Sequence, residues 1–424
     1  MSKKLKFIVV LTLLFSLNGC LVDVKDDVKN ILIDARGLEI LTKDINFSKY
    51  PVLKDTTNFP ITAWFGIPNG HLNLSRFQEL KDAGININYF RYSNVDSVKK
   101  ALDLSQQVGI KTLINCPELV NNTKATVRLF MDHPANAGYF IRDEPPVSMI
   151  PSLSNFINTI RSIDNSRFCY VNLLPLYATS TGMGTDSYLD YVKRYSDELP
   201  LEFISFDFYP IVGNQIQYGW YKNLEIIRNE SIRTGKPFWA FGLTTSHNEY
   251  PIPTLEHLRL QVFSNLAYGA KGIQYYTYWT TTSPNFLYTS GPIEKDGKKT
   301  AVYDYLKTVN TEINRLAYIF LSTKVTDVSH YGNLPDGTKS FTKRPFFVTS
   351  LNIEGESAII SEMKNDTVSY IMIQNNSLNN PIAIDIKTDS QTKLILKNGS
   401  IIPASLITEK FKLTPGDAVF FMRK

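Results

Sequence analysis

The sequence predicts an α/β fold, a (β/α)8 TIM barrel, followed by a C-terminal antiparallel β-sandwich. Two observations predict the barrel. Eight short apolar runs alternate with amphipathic helical stretches between residues 59 and 322, and several of these stretches end at a glycine just before the next apolar run. A third observation predicts the second domain: over residues 323–424 short β-branched runs alternate with turn residues. A chain of 424 residues is long enough for both domains.

The N-terminal residues predict export and lipid attachment. Lysines at positions 3, 4 and 6 precede the apolar run Phe7–Leu17, which is the layout of a secretory signal. The segment Leu17–Cys20 reads Leu-Asn-Gly-Cys and resembles a bacterial lipobox, in which the cysteine becomes the lipidated first residue. The alternative is that Cys20 is an ordinary small residue near a cleavage site.

These features predict how the first 58 residues are divided. We predict a signal peptide over residues 1–19 and a lipidated tether with one or two short strands over residues 20–58. The predicted location is the bacterial cell envelope, periplasmic or at the cell surface. The lipid anchor is then the only predicted membrane contact, because no other apolar run approaches the roughly 18 residues of a spanning helix.

The composition excludes several classes of binding partner and cofactor. The net charge is +5, and three of the basic residues lie in the predicted signal peptide, so the mature chain is nearly neutral and nucleic-acid binding is not expected. Cys116 and Cys169 lie in apolar runs and are predicted to be buried free thiols. The five histidines show no metal-binding spacing. We therefore predict no metal and no cofactor.

The barrel elements follow in order along the chain. The predicted strands are apolar on both faces, as parallel strands covered by helices are. No glycine-rich phosphate motif follows the first strand, which counts against a nucleotide-binding sheet. The strands are Phe59–Ile67, Ile85–Tyr92, Ile110–Cys116, Ala137–Ile141, Phe168–Leu174, Leu201–Tyr209, Pro237–Leu243 and Ala270–Trp279. Helices over 73–80, Val95–Val108, Asn223–Thr234 and Leu255–Tyr268 precede glycines at 84, 109, 235 and 269, and a last helix spans Thr300–Leu321.

In such a barrel the chemistry lies at the carboxyl ends of the strands. Polar and aromatic residues occur at most of the predicted strand ends. They are Trp64 on the first strand, Asp143 and Glu144 on the fourth, Asn172 on the fifth, Asp207 and Tyr209 on the sixth, His247 after the seventh, and Tyr276 and Trp279 on the eighth.

The fourth strand carries a family resemblance. The segment Gly138–Pro145 reads Gly-Tyr-Phe-Ile-Arg-Asp-Glu-Pro and resembles the clan A glycoside hydrolases, especially the family 42 β-galactosidase-like barrels. Supporting matches lie at 205–210, 269–279 and 296–300. The resemblance implies a carbohydrate substrate and a general acid/base role for Glu144.

The chemistry of Glu144 supports the same role. Glycoside cleavage needs one carboxylic acid with a raised pKa and a second carboxylate that acts on the anomeric carbon or on water. A strand-end glutamate among aromatic residues is placed for a raised pKa. The alternative is a structural acid that pairs with Arg142 or caps the next helix.

The sequence departs from the clan at two places. Asp143 stands where the clan has asparagine, and the seventh strand reads Ala240-Phe241-Gly242 where a nucleophilic glutamate is expected. Three acids are candidates for the second carboxylate: Asp207, Glu249 and Glu294. Strand alternation points Asp207 into the barrel, where it could instead be a buried partner of Arg142. A pair formed by Glu144 and Asp207 across the mouth could be separated as in inverting enzymes.

Aromatic strand ends suggest how a sugar would be held. Flat rings stack on sugar rings, and the candidates are Trp64, Tyr209, Trp239, Tyr276 and Trp279, with Trp64 and Trp279 together as a platform. The sequence therefore predicts a lipid-anchored glycoside hydrolase with Glu144 and Asp207 as catalytic residues. One alternative is a degenerate barrel that binds glycans without cutting them, and a second is a structural envelope lipoprotein.

Overall fold

A computed structural model describes residues 51–54, 59–407 and 409–424 of the chain. The predicted signal peptide, Cys20 and most of the predicted tether lie outside the described residues. Residues 51–54 run along the C-terminal domain, where the amide of Leu53 donates to the carbonyl of Gly399 at 2.7 Å. Among the described helices, none combines the length and the apolar character that crossing a membrane requires.

The predicted barrel is confirmed. Eight parallel strands close into a ring in the order β1-β10-β9-β6-β5-β4-β3-β2, with β9 and β10 as the seventh and eighth barrel strands. The strands are β1 (Ile61–Trp64), β2 (Ile87–Tyr89), β3 (Lys111–Ile114), β4 (Asn136–Asp143), β5 (Phe168–Leu173), β6 (Ile204–Phe206), β9 (Phe238–Leu243) and β10 (Gly272–Tyr276). A small hairpin, β7 (Ile211–Val212) and β8 (Gln215–Ile216), follows β6.

Helices surround the ring, and local signals set where they begin and end. The side chain of Asn94 accepts a hydrogen bond from the amide of Ser97 and caps the second helix, which ends at the left-handed Gly109 (φ 74°). The helices are α1 (Leu74–Asp82), α2 (Val95–Val108), α3 (Pro117–Asn121), α4 (Thr123–Phe130), α5 (Ile150–Arg161), α6 (Ser180–Met183), α7 (Tyr188–Glu198), α8 (Gly219–Thr234), α9 (Leu255–Ala267) and α10 (Ala301–Ser322).

The barrel interior is filled with aromatic rings. Trp64 packs against Tyr89, Phe140 and Phe241 with ring centroids 4.6–5.6 Å apart. Side chains on the other side of the strands, such as those of Ile204 and Phe206 on β6, belong to a separate apolar layer between strands and helices. The interior is therefore a packed core beneath the carboxyl ends of the strands.

The predicted β-sandwich is also confirmed. A six-stranded antiparallel sheet, in the order β11-β13-β14-β19-β16-β17, faces a three-stranded sheet, β12-β15-β18. Its strands are β11 (Lys324–Gly332), β12 (Val348–Glu354), β13 (Ser357–Lys364), β14 (Ser369–Asn375), β15 (Ile382–Thr388), β16 (Lys393–Ile395), β17 (Ile401–Pro403), β18 (Phe411–Leu413) and β19 (Ala418–Arg423).

One face of the six-stranded sheet forms the sandwich core, and the opposite face packs against the barrel. On β13, Ile360 faces the sandwich core, whereas Ile359 and Met363 belong to the core shared with the barrel. A buried ion network lies in the same region. Arg259 on α9 donates to Glu312 on α10, and Lys397 lies 3.6 Å from Glu312 and also pairs with Asp417.

The predicted state of the two described cysteines is confirmed. Cys116 and Cys169 are free and buried. Burial raises the pKa of the Cys116 thiol to about 11 and that of Cys169 to about 12, so both stay protonated at neutral pH.

Candidate active site

A cleft of about 320 Å³ opens at the carboxyl ends of the barrel strands. This volume is at the lower end of the range of about 300–1,000 Å³ that is typical of small-molecule sites. Eight of the nine predicted site residues line it, and Trp279 does not. The lining residues are Trp64, Asp143, Glu144, Asn172, Tyr177, Asp207, Tyr209, Phe241, His247, Tyr250, Tyr276, Phe286 and Tyr288.

A β-bulge determines which side chains of β4 enter the cleft. The pairing of β4 with β5 shifts by one residue between Phe140 and Arg142, so Asp143 comes to lie opposite Asn172. Without the extra residue, each side chain of β4 after the bulge would point to the opposite side of the strand. The bulge leaves Arg142 exposed to solvent and directs Asp143 into the cleft.

The backbone of Glu144 is held in an unusual conformation. Its φ of 46° lies in the left-handed region, which is costly for a residue with a Cβ. The amide of Glu144 donates to the carbonyl of Asn172 at 2.9 Å, and Pro145 follows directly. Because such strain persists only where the surroundings enforce it, this conformation fixes the carboxyl group at the rim of the cleft.

Glu144 and Asp207 form a carboxyl pair. Each group acts on the pKa of the other, and the side chain of Glu144 is open to solvent whereas Asp207 is buried. Desolvation, followed by the negative charge of Asp143, raises the pKa of Glu144 to about 7. Desolvation and the neighbouring Glu144 also hold the pKa of Asp207 well above its usual range. Two such carboxyls retain one proton between them at neutral pH.

Asn172 connects the pair to Asp143. Its side-chain amide donates to Asp207 at 3.0 Å and lies 3.3 Å from the carboxylate of Asp143. The hydroxyl of Ser205 donates to the side-chain oxygen Oδ1 of Asn172 at 2.9 Å, which fixes the orientation of the side-chain amide. Asn172 therefore acts as a donor between two acidic groups.

Asp143 is the member of this acidic group with a cationic partner. The guanidinium of Arg91 lies 3.6 Å from its carboxylate. Burial raises the pKa of Asp143, and Asn172 and Arg91 oppose that rise. Among the described residues, Asp143 therefore has a cationic partner, whereas Glu144 and Asp207 have none.

These contacts correct two sequence-based interpretations. Asp207 is not a partner of Arg142, which is exposed and forms no ion pair within the described part of the chain. Glu144 and Asp207 also do not face each other across the mouth of the cleft, because only β5 separates the strands that they follow. Each of the two neighbouring carboxyl groups acts on the pKa of the other.

The opposite wall of the cleft is aromatic. Tyr209 stacks on Tyr276 at 5.6 Å, and the Tyr276 hydroxyl lies 2.9 Å from that of Tyr288. The ring of His247 packs against Tyr250 and Tyr288 at 4.7 and 4.6 Å. Burial lowers the pKa of His247, so this imidazole is neutral at pH 7. The wall offers ring faces and hydroxyl groups to a ligand.

Several residues of this wall were not predicted from the sequence. Tyr250, Phe286 and Tyr288 lie in the loops after the seventh and eighth strands, and Tyr177 follows β5. Loop residues have no periodicity that would orient them. The density of aromatic residues in these loops was the signal that could have indicated them.

Trp279 does not pair with Trp64 as a platform. Its backbone amide donates to the carbonyl of Phe65, and its side chain packs on His71 at 4.5 Å and under the guanidinium of Arg76. Trp64 lies at the floor of the cleft and is only 2% exposed. Trp239, another stacking candidate, is packed on Phe203 inside the barrel.

The other two candidate carboxylates lie outside the cleft. Glu249 is exposed on the loop after β9, and Glu294 accepts a hydrogen bond from the amide of Ser290 at 2.6 Å. Neither lines the cleft. Over the described residues, no group of three or more histidine, cysteine or acidic side chains is arranged to hold a metal ion.

Comparison with known proteins relates this barrel to glycoside hydrolases. A family model described as Beta-galactosidase matches residues 150–316, a region that includes Asp207 and begins after Glu144. A catalytic mutant of a GH42 β-galactosidase from G. stearothermophilus has a TM-score of 0.58 with 8% identity, over 88% of this chain and 99% of that chain. The resemblance to clan A glycoside hydrolases is confirmed.

Two further structures agree in fold with this glycoside hydrolase-like barrel. A β-galactosidase from Rahnella sp. R3 has a TM-score of 0.54 with 10% identity, over 88% of this chain and all (100%) of that chain. A glycoside hydrolase family 5 structure from Bacteroides vulgatus has a TM-score of 0.55 with 13% identity, over 86% of this chain and 88% of that chain. Two other β-galactosidases, from Marinomonas ef1 and Halorubrum lacusprofundi, are covered over only 60% and 58% of their length. No curated protein matches the chain.

The seventh strand of the glycoside hydrolase-like barrel brings no acid to the cleft. On β9, Phe241 and Leu243 point into the barrel, and Ala240 faces the surrounding helices. Phe241 lines the cleft wall at this position. The described acids of the cleft therefore all come from the ends of β4 and β6.

Proposed function

We propose that the protein is a glycoside hydrolase that acts on an oligosaccharide or polysaccharide, with Glu144 as the general acid. One observation carries the proposal. A carboxyl group with a pKa of about 7 stands at the rim of an aromatic-lined cleft, on a barrel of glycoside hydrolase type. An acid with such a pKa is still partly protonated at neutral pH and can donate to a glycosidic oxygen.

Asp207 serves as the partner of Glu144 in this proposal. The two neighbouring carboxyls share one proton, and Asn172 fixes the position of Asp207. When Glu144 gives its proton to the leaving oxygen, negative charge moves onto the pair. The amide of Asn172 is already oriented to stabilise that charge.

The aromatic wall supports a carbohydrate ligand. Tyr209 and Tyr276 present ring faces, and the hydroxyl groups of Tyr276 and Tyr288 can exchange hydrogen bonds with sugar hydroxyls. Asp143 and Asn172 supply an acceptor and a donor on the facing wall. Such a mixture of flat apolar faces and a few polar groups suits a sugar ring.

Action outside the cytoplasm forms part of the proposal. It rests on the basic residues, the apolar run and the lipobox-like segment that ends at Cys20. A lipid on this cysteine would keep the barrel at the envelope surface, where polysaccharides are within reach.

A binding protein without hydrolytic activity is the second candidate. The observation that favours it is that no carboxylate among the described residues faces Glu144 across the cleft. In this case the aromatic wall would retain a glycan, and Glu144 would be only a hydrogen-bonding group.

Hydrolysis of a glycan panel separates the two candidates. The purified protein is incubated with each glycan, and both retention and released reducing ends are measured. We expect reducing ends from at least one glycan and their loss in Glu144→Gln, while the matched exposed variant Glu249→Gln remains active. Retention without any release favours the binding protein, and release that is undiminished in Glu144→Gln excludes this residue as the acid.

A further inference from the structure

The acidic groups of the cleft are confined to one side. Asp143, Glu144 and Asp207 are grouped around Asn172 at the ends of β4 and β6. The other side, from Tyr209 round to Tyr288, is formed by aromatic rings and His247. Within the described residues, a sugar bound between the two sides would meet carboxyl groups on one side only.

This arrangement fits neither of the two usual schemes of glycoside hydrolysis. Retaining enzymes place two carboxyls about 5–5.5 Å apart on opposite faces of the sugar, and inverting enzymes place them about 6.5–9.5 Å apart. Glu144 and Asp207 follow β4 and β6, which are separated only by β5, so the two carboxyls lie on the same side of the cleft and not on opposite faces of a sugar. Burial raises the pKa of Tyr209 and Tyr276, so neither phenol is a ready nucleophile.

We infer that the substrate supplies its own nucleophile, and that the substrate class is 2-acetamido-2-deoxy-β-glycosides of the gluco or galacto series. This inference rests on the proposed function and narrows it. In these sugars the acetamido oxygen reaches the anomeric carbon from the face opposite the β-linked leaving group. No protein carboxylate is then needed on the aromatic side.

The proposed reaction balances in two steps. The acetamido oxygen forms a bond to the anomeric carbon as the bond to the leaving oxygen breaks, and the proton of Glu144 passes to that leaving oxygen. The product is a bicyclic oxazolinium ion, which keeps its N–H. Water then attacks the anomeric carbon and gives a proton to Glu144, and the oxazolinium ring opens. The outcome is retention of the anomeric configuration with both Glu144 and the acetamido group restored.

Asp143 is the group suited to assist the acetamido N–H. Arg91, 3.6 Å away, favours its ionised form, whereas the buried Asp207 shares a proton with its neighbour Glu144. A carboxylate beside the general acid can accept the N–H, orient the acetamido oxygen toward the anomeric carbon, and stabilise the positive charge that develops on the ring. The aromatic side can enclose the acetamido methyl group.

The test compares matched aryl β-glycosides that differ only at C2. We expect kcat/KM for the acetamido sugar to exceed that for the 2-hydroxy sugar by at least about 100-fold. Replacing the acetamido hydrogens by one, two and three fluorines weakens the oxygen nucleophile, so kcat should fall with each fluorine. The first-formed product should retain the β configuration, as observed by proton NMR.

A variant separates positioning from folding. Asp143→Asn should lower kcat on the acetamido substrate by about 10²-fold or more with little change in KM, since the sugar is still held by the aromatic side. Asp366→Asn, an exposed change in the C-terminal domain, is the matched control and should leave kcat unchanged.

The outcomes distinguish the two proposals. Equal or faster cleavage of the 2-hydroxy sugar would overturn the substrate inference and leave the hydrolase intact. Rates that do not depend on fluorination would also overturn the substrate inference. An inverted product would overturn it as well, because inversion requires a base on the aromatic side, such as His247. No cleavage of any glycoside in the panel would overturn both proposals.

Discussion

The shared proton of Glu144 can be tested by removing its negatively charged neighbour. Desolvation and the charge of Asp143 together raise the pKa of Glu144 to about 7. Asp143→Asn removes the charge and leaves the burial unchanged. Because desolvation is the larger cause, we expect the pKa of Glu144 to fall in the variant, yet to remain above its ordinary value.

The size of the effect follows from the protonated fraction. With a pKa of about 7, roughly half of the Glu144 carboxyls carry a proton at pH 7, whereas about one in 300 would do so at an ordinary pKa near 4.5. The lower pKa expected in the Asp143→Asn variant leaves a smaller fraction of Glu144 protonated at pH 7. The descending limb of the pH–activity profile should therefore move to lower pH in this variant.

The assay is carbon NMR of protein labelled at the glutamate side-chain carboxyl. The signal that disappears in Glu144→Gln identifies the residue, and its shift is followed from pH 3 to 9. A midpoint near the ordinary glutamate value in the wild type would refute the reasoning. An unchanged or higher midpoint in Asp143→Asn would show that the charge of Asp143 does not act on Glu144.

The pH dependence of protein stability is an independent test of the raised pKa of Glu144. A carboxyl with a raised pKa in the folded state binds its proton more tightly there than in the unfolded chain, so its contribution to stability is lost as the pH rises from about 4.5 to about 7. The melting temperature of Glu144→Gln should therefore rise relative to wild type across this window. A constant difference would contradict the raised pKa.

Three further predictions concern the anchor, the aromatic wall and the domain contact. Cys20→Ser should release the protein from the membrane fraction or stall its processing; unchanged membrane fractionation and cleavage would show that Cys20 is not lipidated. Tyr276→Ala should weaken glycan retention by about 1–3 kcal/mol in titration calorimetry, whereas Trp279→Ala, outside the cleft, should not; equal losses would contradict the placement of Trp279. Glu312→Gln removes the carboxylate that pairs with the buried Arg259, while Lys397 keeps Asp417, and should cost about 3–5 kcal/mol in denaturant unfolding; a loss below about 1 kcal/mol would show that stability does not depend on this ion pair.

Periodic elements were predictable from the sequence. The eight apolar runs correspond to the eight barrel strands because parallel strands buried on both faces read as short hydrophobic segments. On β6 the alternation of side chains was enough to direct Asp207 inward, and it lines the cleft. Glycines such as Gly109 marked helix ends because a left-handed residue is needed there.

Features that break the period were not predictable. The bulge on β4 sets the direction of Asp143, and no residue type in the sequence indicates that a bulge occurs there. Trp279 lies away from its predicted place because β10 ends at Tyr276, and side chains beyond a strand end no longer alternate. The aromatic wall was largely missed because its rings come from loops, whose conformation depends on contacts made after the barrel has closed.

The central claim is that Glu144 donates a proton to the leaving group. The most direct measurement is the ratio of kcat/KM between wild type and Glu144→Gln for a series of glycosides whose leaving groups differ in acidity. We predict a ratio of about 10²–10⁴ for an alkyl or sugar leaving group, falling toward about 1 for a dinitrophenyl group that needs no proton. A ratio that is the same for every leaving group would contradict the claim.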